Sequence, residues 1–190
     1  MWGDDDLDAA LKAAAAGDQE GFAVLWRSQQ PAVLRYLRVV VGDTAEDVAS
    51  ETWLQAARDL HRFDGDVAAF RGWLFRIARH RGIDERRRVA RRPEQPAESL
   101  DESAAPGRDA ATEALEQHGT GWALGLIATL PADQAEAVML RVVAGLDVAT
   151  TAQVLGKRPG AVRVATMRGL RRLAENPQVS ALRFSSPGEV

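Results

Sequence analysis

The sequence predicts an all-α protein of two small helical domains joined by a flexible acidic linker. Apolar residues recur at helical spacing through most of the chain, with glycine or proline between the helical segments. Residues 93–109 are instead rich in proline, alanine, serine and acids, a composition typical of linkers. The expected organisation is an acidic helical extension (1–17), a first domain (18–92), the linker (93–109), a second domain (110–176) and a tail (177–190).

The composition argues against several classes of protein. The chain has 190 residues, a net charge of −3 and no cysteine, so disulfides and thiolate metal sites are excluded. Its histidines, His61, His80 and His118, lack the spacing of a metal site or a catalytic triad. No phosphate-binding glycine loop occurs. We therefore expect no enzyme activity, no cofactor and no metal.

Two observations bear on location. The sequence has no apolar run of about 18 residues, which argues against a membrane-spanning helix. Its start carries Asp4, Asp5, Asp6 and Asp8, whereas a signal peptide starts with basic residues. The sequence therefore predicts a cytoplasmic protein without membrane insertion.

Capping residues and helix breakers divide the first domain and its extension into helices. The first predicted helix, Leu7–Ala16, is followed by one that Asp18 caps. Pro31 is expected to begin a third helix, because proline is favoured in a first turn. Gly42 ends that helix, and Asp43 or Thr44 caps the next one.

The stretch Phe70–Arg92 combines arginines with aromatic rings. At about 100° per residue, one helical face carries Phe70, Trp73, Leu74, Ile77 and Ala78, and the other carries Arg71, Phe75, Arg76 and Arg79. Residues 62–92 contain ten arginines and four acids. Arginines hold phosphates and rings stack on exposed bases, so this pattern favours a partially unwound nucleic acid. The alternative is an ordinary amphipathic helix with a solvated charged face.

The second domain contains a predicted helix-turn-helix. Pro131 stands at the first position of one helix, Asp147 caps a short helix, and Pro159 begins the last helix. Residues 156–172 carry six basic residues and no acid. The last helix is expected to bury Val162, Ala165, Thr166, Gly169, Leu170 and Leu173. Its exposed residues would reach base edges in a major groove, while Lys157 and Arg158 hold phosphate. A plain helical hairpin is the alternative.

Together these segments resemble the extracytoplasmic-function class of bacterial sigma factors, in the sigma-70 family. The first unit carries the likeness in GDTAEDVASETWLQAARDLHRFDGDVAAFRGWLFRIARHRGIDERRR, and the second in LPADQAEAVMLRVVAGLDVATTAQVLGKRPGAVRVATMRGLRRL. The likeness covers most of residues 18–175. It implies that residues 18–92 are sigma region 2, which binds core RNA polymerase and melts the minus-ten element. Residues 110–176 would be region 4, which binds the minus-thirty-five element.

The resemblance also implies three sets of contact residues. The surface for core polymerase would consist of Asp47, Ser50, Glu51 and Leu54. The minus-ten element, including a flipped base captured by the loop 63–69, would be bound by Phe63, Asp64, Arg71, Trp73, Arg76, Arg79 and His80. The minus-thirty-five element would be bound by Lys157, Arg158, Gly160, Ala161, Arg163, Val164, Met167, Arg168 and Arg171. The chain departs from the usual family residue at Ser50, His80, Val164 and Ala165.

The resemblance thus implies a promoter-specificity subunit. Its partners would be core RNA polymerase, promoter DNA (duplex and melted non-template strand) and an anti-sigma factor. The residues alone leave two alternatives open. One is a stand-alone helix-turn-helix regulator that uses residues 1–92 for dimerisation or sensing. The other is a helical adaptor that binds only proteins.

Overall fold

The predicted all-α fold is confirmed. The computed structural model describes residues 2–91 and 110–179, and the regular secondary structure in these ranges is helical throughout. The predicted linker, 93–109, lies outside the described residues, as does the predicted tail from residue 180 onward. The helices are α1 (Asp4–Ala15), α2 (Gln19–Val41), α3 (Ala45–Asp59), α4 (Val67–Arg91), α5 (Ala110–Ala128), α6 (Ala132–Val138), α7 (Val148–Leu155) and α8 (Pro159–Ala174).

The predicted helix start at Pro31 is wrong, because α2 continues through this residue. A proline inside a helix removes one backbone hydrogen bond and crowds the preceding turn. Leu25, Val33 and Leu37 nevertheless form one fully buried stripe on both sides of Pro31. Burial of this stripe favours one continuous helix over two short ones, since each apolar side chain contributes about 1.5–3 kcal/mol.

Side-chain caps begin two helices where the sequence predicts them. The Asp18 carboxylate accepts a hydrogen bond from the backbone N–H of Gly21 at the start of α2. The Asp147 carboxylate does the same for Thr150 in α7, and this hydrogen bond lowers the pKa of Asp147. Gly156 then ends α7 with a left-handed φ of 63°, a conformation that glycine adopts without steric cost.

The first unit packs α1 to α4 around one core. Its largest fully buried side chains include Tyr36 from α2 and Phe70, Leu74 and Phe75 from α4. The sequence predicts Phe75 on the exposed arginine face, and this is wrong: its ring lies edge-on to Tyr36, with 5.6 Å between the centroids. Burial in this core raises the pKa of Tyr36. Helix α4 is therefore buried on a wider face than its sequence indicates.

The second unit packs α6, α7 and α8 into a helix-turn-helix. Helix α6 continues as a π-helical turn, Met139–Val143, and Val162 of α8 is fully buried nearby. At Gly169 of α8, a Cβ atom would lie 2.8 Å from a methyl group of Val138, so only glycine allows this approach. Leu170 is predicted to be buried, but it is 43% exposed, because α8 is covered on a narrower face than predicted.

Candidate nucleic-acid and polymerase interfaces

Helix α3 exposes the four residues predicted to contact core polymerase. Asp47, Ser50, Glu51 and Leu54 are exposed, whereas Val48 and Thr52 are buried against the first unit. Leu54 is 57% exposed. The arrangement therefore offers one apolar contact next to two carboxylates, which lie on the N-terminal side of Leu54 along the helix.

The loop between α3 and α4, residues 63–66, is the second feature, and we call it the α3–α4 loop. At its entrance, the Phe63 ring packs against Phe70 and Trp73, with centroid distances of 5.9 and 5.2 Å. Gly65 has a φ of 150°, and a Cβ atom there would lie 3.1 Å from the Phe63 ring. The close ring and the positive φ together disfavour any larger residue at Gly65.

An open cleft of about 580 Å³ adjoins this loop. Phe63 and Trp73 provide aromatic lining, and Arg76 provides a guanidinium group. The opposite wall comes from α7, through Thr150 and Gln153. Flat rings beside a cation are suited to a nucleic-acid base and its phosphate. The residues from α7 could not be found by sequence reasoning, because nothing in the sequence of α7 indicates that it packs against α4.

More arginines of α4 lie beside acidic side chains than the sequence of this helix predicts. Acids from other helices reach several of its arginines: Asp4 of α1 lies 3.0 Å from Arg71, and Glu51 of α3 lies 3.9 Å from Arg81. Within the described residues, Arg76 makes no ion pair and is exposed. His80 is also exposed on α4. Of the predicted minus-ten arginines, Arg76 is thus the most available to a phosphate.

Glu136 of α6 connects the two units electrostatically. Its carboxylate lies 2.8 Å from the Arg79 guanidinium and 3.4 Å from that of Arg86, and its side chain is only 9% exposed. In the structure Arg79 therefore forms an ion pair with a carboxylate of the protein, whereas the sequence predicts that Arg79 contacts DNA. Glu136 was not among the predicted residues; an acid within the apolar segment of residues 134–143 was its only signal.

A second contact between the units lies at Gly72 of α4. A Cβ atom at Gly72 would lie 2.5 Å from the Cγ2 methyl group of Thr150 in α7. This is closer than non-bonded carbon atoms approach, so the absence of a side chain at Gly72 permits the contact. Helix α7 consequently covers the part of α4 between Arg71 and Trp73.

Helix α8 exposes the residues predicted to contact the minus-thirty-five element. Arg163, Val164, Met167, Arg168 and Arg171 are exposed, as are Lys157, Arg158, Gly160 and Ala161 before and in its first turn. Two of these cations have acidic neighbours: Lys157 lies 3.9 Å from Asp133, and Arg171 lies 2.8 Å from Glu175. The hydrogen bond that the Arg171 guanidinium donates to the Glu175 carboxylate raises the pKa of Arg171. The helix thus presents cations around an apolar centre formed by Val164 and Met167.

In the described ranges, 2–91 and 110–179, no helix is long and apolar enough to cross a membrane. The same ranges contain no cluster of histidine, aspartate and glutamate suited to a metal ion.

Comparisons with known proteins agree with both units. Residues 19–92 match the family model for sigma-70 region 2, and residues 121–173 match that for sigma-70, region 4. The ECF RNA polymerase sigma factor SigD of Mycobacterium tuberculosis is 35% identical, with 89% of this chain and 82% of SigD covered. The ECF RNA polymerase sigma factor ShbA of Streptomyces griseus is 34% identical, with 88% and 93% covered.

A solved structure shows the same fold. CnrH, in complex with the cytosolic domain of CnrY, aligns with a TM-score of 0.62 at 24% identity. The alignment covers 95% of this chain and 99% of CnrH.

We expect the change Glu136→Gln to loosen the contact between the two units. It keeps the side-chain volume but leaves Arg79 and Arg86 facing each other without a carboxylate, at a cost of up to about 3–5 kcal/mol that solvent screening reduces. Because the chain has no cysteine, dyes can be attached to cysteines introduced at exposed Ala57 and Ala174. Energy transfer between them should fall in the variant.

The matched control is Glu175→Gln, since the described partner of Glu175 is Arg171 within the same region of the second unit. It should leave energy transfer unchanged. Equal transfer in Glu136→Gln and the parent protein would contradict a role of Glu136 in holding the units together.

Proposed function

This chain belongs to the extracytoplasmic-function class of sigma-70 factors, and we propose that it acts through three separate surfaces. It directs promoter-specific transcription initiation with core RNA polymerase. One surface binds the polymerase, one binds the melted minus-ten element, and one binds the duplex minus-thirty-five element. The observation that carries this assignment is the aromatic cleft beside Arg76, in the same chain as an exposed recognition helix.

The exposed face of α3 is the proposed polymerase surface. Its carboxylates, from Asp47 and Glu51, suit a basic partner, and Leu54 supplies an apolar contact one turn further along the helix. Interfaces of this kind depend on a few buried apolar anchors within a polar rim. Ser50 lies on the same face and its hydroxyl donates to the backbone oxygen of Glu46 at 2.9 Å. It is therefore a neutral part of this surface.

The wall of the cleft that the first unit forms, beside the α3–α4 loop, is the proposed minus-ten site. The loop contributes Phe63 and Asp64, and α4 contributes Trp73 and Arg76, with Arg71, Arg79 and His80 on neighbouring turns. Unstacking a base costs a few kcal/mol, and stacking on an aromatic side chain returns about 1–3 kcal/mol per base. Melting is therefore driven by binding, and the protein carries out no bond chemistry of its own.

Helix α8 is the proposed minus-thirty-five reader. Arg163 and Arg168 can donate to base edges, while Lys157, Arg158 and Arg171 hold phosphates. The apolar Val164 suits the methyl group of a thymine. Gly160 and Ala161 bring the backbone of the first turn close to the DNA, because they have little or no side chain.

The contact between the units implies a regulated surface. Arg79 is bound to Glu136, and α7 covers Gly72, so minus-ten DNA reaches this part of α4 only after the units move apart. Core polymerase would hold them apart in the working complex. CnrH was solved in complex with the cytosolic domain of CnrY. We propose that this chain likewise binds a partner protein, an anti-sigma factor that holds it inactive. Its work with polymerase places it in the cytoplasm.

A stand-alone helix-turn-helix regulator is the less favoured alternative. Such a protein would use α8 alone for DNA and would require no exposed polymerase surface on α3. Residues 19–92 match sigma-70 region 2, which a dimerisation or sensor unit would not. Binding of core polymerase by the free chain separates the two alternatives.

We expect the double change Asp47→Lys and Glu51→Lys to abolish association with core polymerase. The reversed charges replace attraction by repulsion at the centre of the proposed surface. The measurement is gel filtration of the protein with purified bacterial core polymerase. A matched control reverses Asp5 and Asp6 of α1, which are also exposed acids. Co-elution of the α3 variant at parental affinity would refute this surface, and failure of the parent protein to associate would refute the function.

We expect Arg76→Ala to weaken binding of the melted minus-ten strand about fivefold to thirtyfold, as loss of a charge-assisted phosphate contact would. The measurement is binding of single-stranded DNA, selected from a random library by the parent holoenzyme, to each reconstituted holoenzyme. Arg91→Ala is the control, since Arg91 is also exposed but lies far along α4. Equal loss of polymerase binding in Arg76→Ala would indicate misfolding instead.

We expect Arg163→Ala to cost about 1–3 kcal/mol at the minus-thirty-five element, if its guanidinium contacts a base. Competition between selected and altered duplexes measures the change. Base preference should relax at one position, whereas Lys157→Ala should weaken all sequences alike, because a phosphate contact carries no sequence information. Unchanged preference in Arg163→Ala would show that α8 is placed differently on the DNA.

A further inference from the structure

Helix α1 precedes both matched family segments, yet it packs against the start of α4. The matches begin at residue 19, whereas α1 spans Asp4–Ala15. Leu7 and Leu11 are buried in the core of the first unit, which fixes α1 in place. Close approach of α2 adds to this, because a Cβ atom at Gly21 would lie 2.7 Å from the Ala10 carbonyl oxygen. Helix α1 is thus held in a fixed position, and so are the residues that its polar side chains contact.

The Asp8 carboxylate contacts the first turn of α4. Its Oδ1 atom accepts a hydrogen bond from the backbone N–H of Val67, with 2.7 Å between nitrogen and oxygen. Val67 is the first residue of α4, and the first N–H groups of a helix have no acceptor within it. Val67 is also buried. Without Asp8, this N–H would lack both a protein partner and free access to water.

Asp66 caps the same turn from within the α3–α4 loop. Its Oδ1 atom accepts from the backbone N–H of Ala69 at 2.8 Å, as a local N-cap does. Asp8 differs because it belongs to another helix, 59 positions away in sequence. The two carboxylates together satisfy two of the free N–H groups, and Asp8 links the first of them to α1.

The α3–α4 loop is therefore held at both ends by different interactions. At its entrance, Phe63 packs against Phe70 and Trp73. At its exit, Val67 is held by Asp8. Between these points Asp64, Gly65 and Asp66 are exposed. Since these exposed residues have little packing of their own, the shape of the loop depends on its two ends.

We propose that Asp8 is a positioning residue for minus-ten recognition, whose carboxylate fixes the α3–α4 loop in the shape that admits an unstacked base. The inference rests on the proposed function, which assigns this loop to base capture. Asp8 does not line the described cleft. It acts through Val67 rather than on DNA, where a carboxylate would repel phosphate.

The test compares Asp8→Ala with Asp8→Asn. Asparagine keeps an oxygen that can accept from Val67 and ranks with aspartate as a cap, whereas alanine has no acceptor. The matched control is Asp5→Ala, since Asp5 is an exposed acid on the same helix. Each protein is reconstituted with purified bacterial core polymerase. The holoenzyme is then incubated with single-stranded DNA randomised over the minus-ten element, and the bound fraction is sequenced.

We expect Asp8→Ala to reduce the preference for the captured base roughly fivefold to tenfold, which corresponds to loss of one helix cap. Asp8→Asn and Asp5→Ala should keep the parental preference. All variants should keep parental affinity for core polymerase and for the duplex minus-thirty-five element. The hydrogen bond of Asp8 reaches the first turn of α4, whereas these two partners are proposed to bind α3 and α8.

Three outcomes would overturn the inference alone. Asp8→Ala could keep the parental base preference, or Asp8→Asn could lose as much as Asp8→Ala. Asp8→Ala could also lose polymerase affinity and thermal stability together with base preference, which would show a general role in folding. Failure of the parent protein to bind core polymerase would instead refute the proposed function, and this inference with it.

Discussion

Burial of α4 is the constraint on which the rest of the structure depends. Phe70, Leu74, Phe75 and Ala78 are fully buried in the first unit, so the helix cannot rotate or shift without exposing its core. The same helix carries the arginines proposed to meet DNA. Between Phe70 and Arg81, the residues of α4 that are exposed to solvent are Arg76 and His80. The fold therefore fixes the direction of every functional side chain on α4 by packing it from behind.

The packing of α4 against its neighbours also determines which of its arginines lie beside acidic side chains. A helix with many arginines at the centre of a protein repels itself unless acids from its neighbours compensate. Asp4, Glu51 and Glu136 come from α1, α3 and α6, and each lies beside an arginine of α4. The exposed pairs made by Asp4 and Glu51 add little stability. Their effect is selective instead, because within the described part of the chain they leave Arg76 without an ion pair on the wall of the cleft, which Arg62 also lines.

Local signals in the sequence predicted the local structure well. Asp18, Asp147 and Pro159 each begin a helix as predicted, because a cap or a fixed φ acts within one turn. The errors at Pro31 and Phe75 have a different origin. Both depend on neighbours distant in sequence, such as Tyr36 against Phe75. Helical periodicity gives the direction of a side chain but not the number of helices that surround it.

The candidate sites divide in the same way. Apart from Leu170, the residues that α8 exposes follow from helical periodicity and were predicted. Leu54 of α3 was expected at a surface only from the resemblance. The Arg79–Glu136 pair joins two units and was not predicted. This pair gives the contact between units a thermodynamic consequence. If DNA binds only the separated form, its apparent affinity is lower than the intrinsic value by the separated fraction. Any partner that holds the units apart then raises DNA affinity by the same factor, without contacting the DNA itself. Under the proposed function, promoter binding and polymerase binding would be coupled through the contacts between the units, to which the Glu136 carboxylate contributes.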